Sequence, residues 1–203
     1  MSAKTTRNAR PLILASASRY RRALLERLGL AFEVVPADID ETPLANEPPA
    51  ATALRLSESK ARTVAASRPG TLVIGSDQVA NLDGHPIGKP GGHDAAVAQL
   101  ETLSGRTVIF HTGVALCDAD SGRCRSVLVD VISAFRALAR AEIEDYLGRE
   151  RPYDCAGSVR SEQLGIALFE RISSGDPTAL IGLPLIALID LLRAEGVDVL
   201  DKR

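Results

Sequence analysis

The chain has 203 residues, 45% of them hydrophobic and 25% charged, which is the composition of a soluble globular protein able to bury a substantial core. A formal net charge of −2 argues against broad electrostatic binding to nucleic acid or to a membrane surface, though not against a local basic pocket. Aromatic residues are only 3% and Trp is absent, so the core must be aliphatic. The most apolar stretch, ALIGLPLIALIDLL, is interrupted by Gly182, Pro184 and Asp190 and is too short to span a bilayer. Residues 1–10 are polar and basic without the apolar core of a signal segment, and are expected to be a flexible tail before one domain over 11–203. Cys117, Cys124 and Cys155 form a sparse, odd set with no CxxC and no metal-ligand spacing. They suit a reducing compartment better than a disulfide scaffold, and the expectation is a cytoplasmic protein with structural cysteines.

In chain order, PLILA reads as a buried strand and SRYRRALLERLGL as a short helix, with Ser18 as its N-cap, Leu24, Leu25 and Leu28 as its apolar stripe and Gly29 as its stop. FEVV is a second strand. A helix over roughly 50–66 follows the Pro-containing segment ETPLANEPP, and LVIGS is the next strand. DAAVAQLETL is a helix closed by Gly105. VIFHTGVALC and SVLVDVISAF are strands joined by a turn at DADSG, and this pair must be antiparallel. AEIEDYL and PLIALIDLLRAEG are the last helices. The second has Pro184 in its first turn, Gly196 as its stop and apolar residues nearly all round, as a buried helix would. The pattern predicts an α/β chain with mixed strand connections.

Several polar groups in this pattern call for a chemical reason. LVIGSDQV breaks an apolar run with Gly75, Ser76, Asp77 and Gln78, which reads either as a turn or as a carboxylate presented at the mouth of a sheet. Arg19, Arg21 and Arg22 fall in the first turn after Ser18, where the helix dipole disfavours cations. They either bend into water or surround a bound anion, phosphate being the usual one, with Ser16 and Ser18 adding hydroxyls. Asp38, Asp40 and Glu41 in ADIDETP read most simply as a solvated acidic loop, though clustered carboxylates after a strand also suit a hard divalent ion. Lys60 beside Glu58, and Lys89 between Gly88 and Pro90, are within the ordinary run of surface lysines but could reach phosphates. There is no Walker A loop and no GxGxxG, so phosphoryl chemistry would take another route.

Taken in order, LILASASRYRRALL, DIDET, SESKA, VIGSDQV, GKP, LSGRT with HTGVAL, and CAGS, GIALFERI, GDP and IGLPL resemble the Maf family of nucleoside triphosphate pyrophosphatases over Pro11 to Leu192. The resemblance implies an elongated mixed α/β sheet with helices around a central cleft, like that of the inosine triphosphate pyrophosphatases. It also implies cleavage of a nucleotide between its α and β phosphates, with a divalent cation, Mg²⁺ or Mn²⁺. By matching position, Ser16, Arg21, Lys60 and Lys89 fall on phosphate-binding positions, Glu41 on an acidic position of the site, and Asp77 on the proton acceptor or metal ligand.

Branches of that family differ near the base. Tyr20, Gln78 and Glu162 resemble the branch that hydrolyses 7-methyl-GTP rather than the one acting on dTTP and UTP. N7-methylation makes guanine a cation, so it would stack on Tyr20 with charge–π attraction, and Glu162 would accept from guanine N1–H and the exocyclic amine. The pyrimidine branch, and a nucleotide-binding regulator of septum formation without turnover, are the alternatives the resemblance leaves open. Arg19 departs from the Pro common at its position. The expected partner is a nucleotide, with neither nucleic acid nor membrane, and a homodimer is compatible with such a fold.

Overall fold

The computed structural model describes residues 10–200. Seven strands build one sheet: β1 (Leu12–Leu14), β2 (Phe32–Val34), β3 (Leu72–Leu82), β4 (His85–Ile87), β5 (Thr107–Asp118), β6 (Cys124–Phe135) and β7 (Phe169–Ser173). Their order is β2-β1-β3-β5-β6-β7, with β4 paired to the far end of β3. The β2–β1–β3 pairs are parallel and the rest antiparallel, so the expected mixed α/β class is found. The helices are α1 (Arg19–Glu26), α2 (Pro49–Ala65), α3 (His93–Leu103), α4 (Arg140–Glu150) and α5 (Leu185–Ala194). No helix of the described residues is long and apolar enough to cross a membrane.

Strand side chains alternate between faces, and β1, β3 and β5 use this to bury both sides. Ile13, Ala15, Val73, Ala115 and Cys117 pack with Ala61, Val64 and Ala65 of α2 on one face. Leu12, Leu14, Leu72, Ile74, Val114 and Leu116 pack on the other with α1 and α5. Further along that second face, Ala80, Leu82, Val108 and Phe110 belong to another cluster with α3 and α4. Between the two clusters the alternating row turns polar, at Ser76 and Gln78 on β3 and Thr112 on β5. A polar strip of sheet therefore separates the two helical packs.

On the opposite face α2 lies unusually close. A Cβ on Gly75 would stand 2.1 Å from the Ser57 carbonyl oxygen and 2.7 Å from Ala61 N, and one on Gly113 would stand 2.6 Å from the Ala53 carbonyl oxygen. Gly75 thus permits close approach, and it is the backbone of α2 that approaches.

Four expectations are corrected. β3 does not stop at Ser76 but runs to Leu82, so Asp77 is a mid-strand residue. It is β1 that ends, at Leu14, leaving β3 to continue alone past it. Cys117 and Cys124 are joined by a disulfide across the β5–β6 hairpin, where the register places them directly opposite. Only Cys155 is free among the described residues, which removes the basis for inferring a reducing compartment. Arg10, the last residue of the expected tail, is tied to Asp118 at 2.8 Å and to Glu195 at 3.4 Å; the rest of the tail lies outside the described residues. Finally, α5 is not buried all round, because Ile186 is exposed. Strands β4 and β7 went unanticipated, the first being short and holding Pro86, the second carrying Glu170 and Arg171.

Gly75→Ala is expected to destabilise the protein by about 3 kcal/mol in denaturant unfolding, because α2 must shift. Gly148→Ala, within α4 and with open space at its Cβ position, should be neutral or stabilising by up to about 1 kcal/mol.

Candidate active site

A cleft of about 640 Å³ opens at the edge of the polar strip, with Gln78 in its lining. It is lined by Ser16, Arg21, Glu41, Lys60 and Lys89 toward one end and by Tyr20, Gln78, Asp154, Cys155 and Glu162 among others. Eight of the nine residues singled out from the sequence therefore meet on one surface. The ninth, Asp77, stands behind Lys60.

Lys60 is the centre of this arrangement. It projects from the buried side of α2, and its ammonium lies 2.6 Å from Asp77 Oδ1 and 2.7 Å from Glu41 Oε1. Lys60 and Asp77 are only 6% and 7% exposed, so both ions are removed from water and depend on their pairing. Glu41 is half-exposed on the loop after β2. Burial works to raise its carboxyl, but the Lys60 hydrogen bond and charge, with Lys89 and Arg21 beyond, outweigh this and hold it below the ordinary range. Asp77 Oδ2 accepts no hydrogen bond from the described residues, leaving it available to water.

The arginines of α1 separate by direction. Ser18 caps the helix as expected, its Oγ accepting from Arg21 N at 3.3 Å. Arg22 turns outward to Glu26, and Arg19 lies over Tyr20. Only Arg21 enters the phosphate end: its Nε donates to the Gly182 carbonyl at 2.8 Å and its Nη1 to Ser16 Oγ at 3.3 Å. Burial opposes its charge, and Asp77 and Glu41 offset that opposition. Its remaining N–H groups have no protein acceptor among the described residues. Lys89 is exposed at the cleft edge. Neither Asp38 nor Asp40 lines the cleft, Asp40 accepting from Thr42 N instead, so Glu41 alone of the acidic loop joins the site. That loop is bolted to α2 by Glu47, which takes Arg55 at 2.6 and 2.7 Å and also accepts from Leu44 N and Thr52 Oγ1.

At the other end, the Tyr20 ring has the Arg19 guanidinium 4.8 Å and the Arg160 guanidinium 5.7 Å from its centroid. Burial pushes the phenol up to about 12, so it is neutral at ordinary pH. Asp154, bound to Arg160 at 3.1 Å, faces the phenol from 3.3 Å. Glu162 is exposed at this rim. Gln78 is more constrained than its sequence position indicated. Its Nε2 lies 2.9 and 3.0 Å from the Ala179 and Leu180 carbonyls and 3.0 Å from Thr112 Oγ1, which fixes the amide orientation and leaves Oε1 as its free acceptor.

Those carbonyls belong to a single 3₁₀ turn, Ala179–Ile181, that walls the cleft. Ser76 Oγ lies 2.9 Å from the Gly182 oxygen, and Thr112 Oγ1 3.0 Å from the Ala179 oxygen. Asp176 holds the far side of the turn: Oδ2 accepts from Ile186 N at 2.7 Å, capping α5, and Oδ1 accepts from Thr178 N. Cys155 and Asp176 lie in the CAGS and GDP segments, which the sequence pattern brought out without a role for them, and Asp154 immediately precedes CAGS.

Glu41 Oε1 and Asp77 Oδ1 meet at the Lys60 ammonium, which holds the two carboxylates close together. Mg²⁺ characteristically takes one or two carboxylates and completes its shell with substrate phosphates and water, so this pair fits such an ion. Among the described residues no group of three or more His, Cys, Asp or Glu is gathered for a metal, so substrate would have to supply the remaining ligands.

A mixed α/β sheet whose cleft joins buried cations to carboxylates at one end and an aromatic ring at the other defines a protein built to bind a phosphorylated, ring-bearing molecule. The Maf model, described as Maf-like protein, matches residues 11–195, and the chain belongs to the Maf family. It is 61% identical over 188 residues to a protein of Burkholderia orbicola, covering 90% of this chain and 89% of that one. It is 58% identical to a protein of Ralstonia nicotianae (90% and 94% covered) and 54% identical to one of Thiobacillus denitrificans (96% and 97%). All three relatives are named 7-methyl-GTP pyrophosphatase. A solved HAM1 protein from Coxiella burnetii overlaps 78% of this chain and 98% of its own, at 18% identity and a TM-score of 0.45, a likeness too loose to bear on the site.

The Glu47 carboxyl is held down at about 2, first by its hydrogen bond from Arg55. A depressed carboxyl stabilises the fold above its unfolded value and ceases to do so as pH falls through the folded one. Wild type is therefore expected to be more stable than Glu47→Gln by a constant margin above about pH 5, shrinking toward pH 2. Urea unfolding of both proteins across that range checks it.

Proposed function

We propose that this protein hydrolyses 7-methyl-GTP to 7-methyl-GMP and pyrophosphate. The observation that carries the reading is the base end of the cleft. A flat cation, the Arg19 guanidinium, already rests over the Tyr20 ring, with Asp154 and Glu162 at the same rim. N7-methylguanine is also a flat cation. It would replace an exposed guanidinium contact with a better-desolvated one, and cation–π attraction grows from about 0.5–1 to about 2 kcal/mol on desolvation. Glu162 would accept from N1–H and the exocyclic amine. A pyrimidine offers one ring N–H there and turns carbonyls toward the carboxylate. The names of relatives at 54–61% identity support the same substrate.

For the chemistry, the triphosphate lies toward Ser16, Arg21, Lys60 and Lys89, cations placed before charge develops on the phosphates. Asp77 Oδ2 takes a proton from water as its oxygen attacks the α-phosphorus. The bond to the bridging oxygen breaks, and pyrophosphate leaves with the electron pair. Lys60 keeps Asp77 in place throughout. A divalent cation held by Glu41 and Asp77 would add charge neutralisation on the phosphates.

Pyrophosphate release should be measured over 7-methyl-GTP, GTP, dTTP, UTP, CTP and ATP, with and without Mg²⁺ or Mn²⁺. The reading expects 7-methyl-GTP to be preferred, dependence on the added metal, and a loss of about 10²–10⁴-fold in Asp77→Asn. Glu162→Gln should cut the preference over GTP by about tenfold. Better turnover of dTTP or UTP would overturn the base assignment, and no release from any nucleotide would overturn the activity.

A further inference from the structure

Outside the residues assigned to chemistry, α3 makes an unusual set of connections between the two ends of the cleft. The segment before it carries Lys89 at the phosphate end. The loop after α4 carries Asp154, Cys155 and Ala156 at the base end. Three links join them. Gly91 N–H donates to the Tyr153 carbonyl at 3.0 Å. His93, the first residue of α3, sets its Nδ1 2.9 Å from the Tyr153 hydroxyl while its Nε2 lies 2.7 Å from Glu144 Oε2. Nearly two turns further along α3, Gln99 Nε2 donates to the Gly88 carbonyl at 3.0 Å, and Gln99 Oε1 accepts from Ser158 Oγ.

The chemistry of each link fixes its direction. A carboxylate such as Glu144 only accepts, so His93 Nε2 carries a proton. The Tyr153 hydroxyl can donate to a neutral ring or accept from a charged one, so this contact survives either state. Glu144 is itself held by Arg140 at 2.9 Å, and Arg140 by Glu101. Gln99 faces a backbone carbonyl on one side and a hydroxyl on the other, an arrangement only its uncharged amide satisfies. None of these side chains touches the reacting centre. The Gly91, His93 and Gln99 contacts tie the segment that carries Lys89 to the segment that carries the base rim.

We propose that His93 and Gln99 are positioning residues, and that α3 is a clasp fixing the distance between Lys89 and the 154–156 rim. Both ends of one nucleotide then bind in register. The proposal rests on the nucleotide reading above. A clasp of this kind has its own signature. Loosening it penalises a ligand that spans both ends, because the spacing must be restored on binding. A ligand that occupies one end alone is indifferent to it.

Tyr153→Phe removes one hydroxyl and keeps the ring, and Gln99→Ala opens the second link. KM and kcat for 7-methyl-GTP would be measured with inhibition constants for tripolyphosphate and for 7-methylguanosine, each fragment filling one end. The clasp predicts KM higher by about three- to tenfold in each variant. It predicts kcat and both inhibition constants within about twofold of wild type. An unchanged KM in both variants overturns it. So does a parallel rise in all three constants, or a fall in thermal midpoint with kcat, since these mark a structural role only. A wild type that releases no pyrophosphate refutes the activity reading instead. The clasp is then decided by the same comparison made on calorimetric binding of GTP and the two fragments.

Discussion

Everything at the phosphate end depends on a buried ammonium between two carboxylates. An isolated Lys or Asp inside a protein would cost several kcal/mol, and removing one member of such a pair is strongly destabilising. Lys60 and Asp77 can sit below 10% exposure only because α2 and β3 are close enough for a 2.6 Å contact. That closeness is made by Gly75 and Gly113, where any side chain would strike the helix backbone. Two glycines in the sheet are thus a condition of the site's electrostatics.

The cleft has a similarly simple origin. β3 alternates apolar residues along one face, drops the pattern at Ser76 and Gln78, and resumes it at Ala80 and Leu82. On either side of the interruption a different set of helices packs. The polar strip has its own work: Ser76, Gln78 and Thr112 meet the carbonyls of the 179–182 turn, which a purely apolar sheet would leave unpaired. Gln78 therefore acts on the cleft first as a support for its wall, with one amide oxygen left for a ligand. The residue type that would be chosen for reading a base is also the one that holds the floor together.

Much of this was legible in the sequence, where short-range rules decide. The Ser18 cap, the β5–β6 hairpin and the glycine after α3 follow from local chemistry. Lys60, Glu41, Arg21 and Ser16 could be grouped because their motifs occur in order. What was not legible depends on partners distant in sequence. Asp77 looks like a strand end because the apolar run stops there, but the strand continues and its neighbour β1 is the one that ends. Cys117 and Cys124 look unrelated until the hairpin register sets them opposite. The three arginines of α1 are alike in sequence, and only the positions of Gly182, Glu26 and Tyr20 send them three ways. Asp176 caps a helix that begins well after it, with Pro184 at the local cap position offering no side-chain acceptor.

Lys60 thus ties the fold to the proposed chemistry, holding Asp77 in place and presenting positive charge to the triphosphate. The most direct measurement is steady-state pyrophosphate release by Lys60→Met, alongside its thermal midpoint and its affinity for a non-hydrolysable α,β-methylene triphosphate. A folded variant with turnover down by about 10³-fold and weakened analogue binding is the predicted result. Turnover within about threefold of wild type in a folded variant would contradict the account, because the Asp77–Lys60–Glu41 bridge would then be architecture alone.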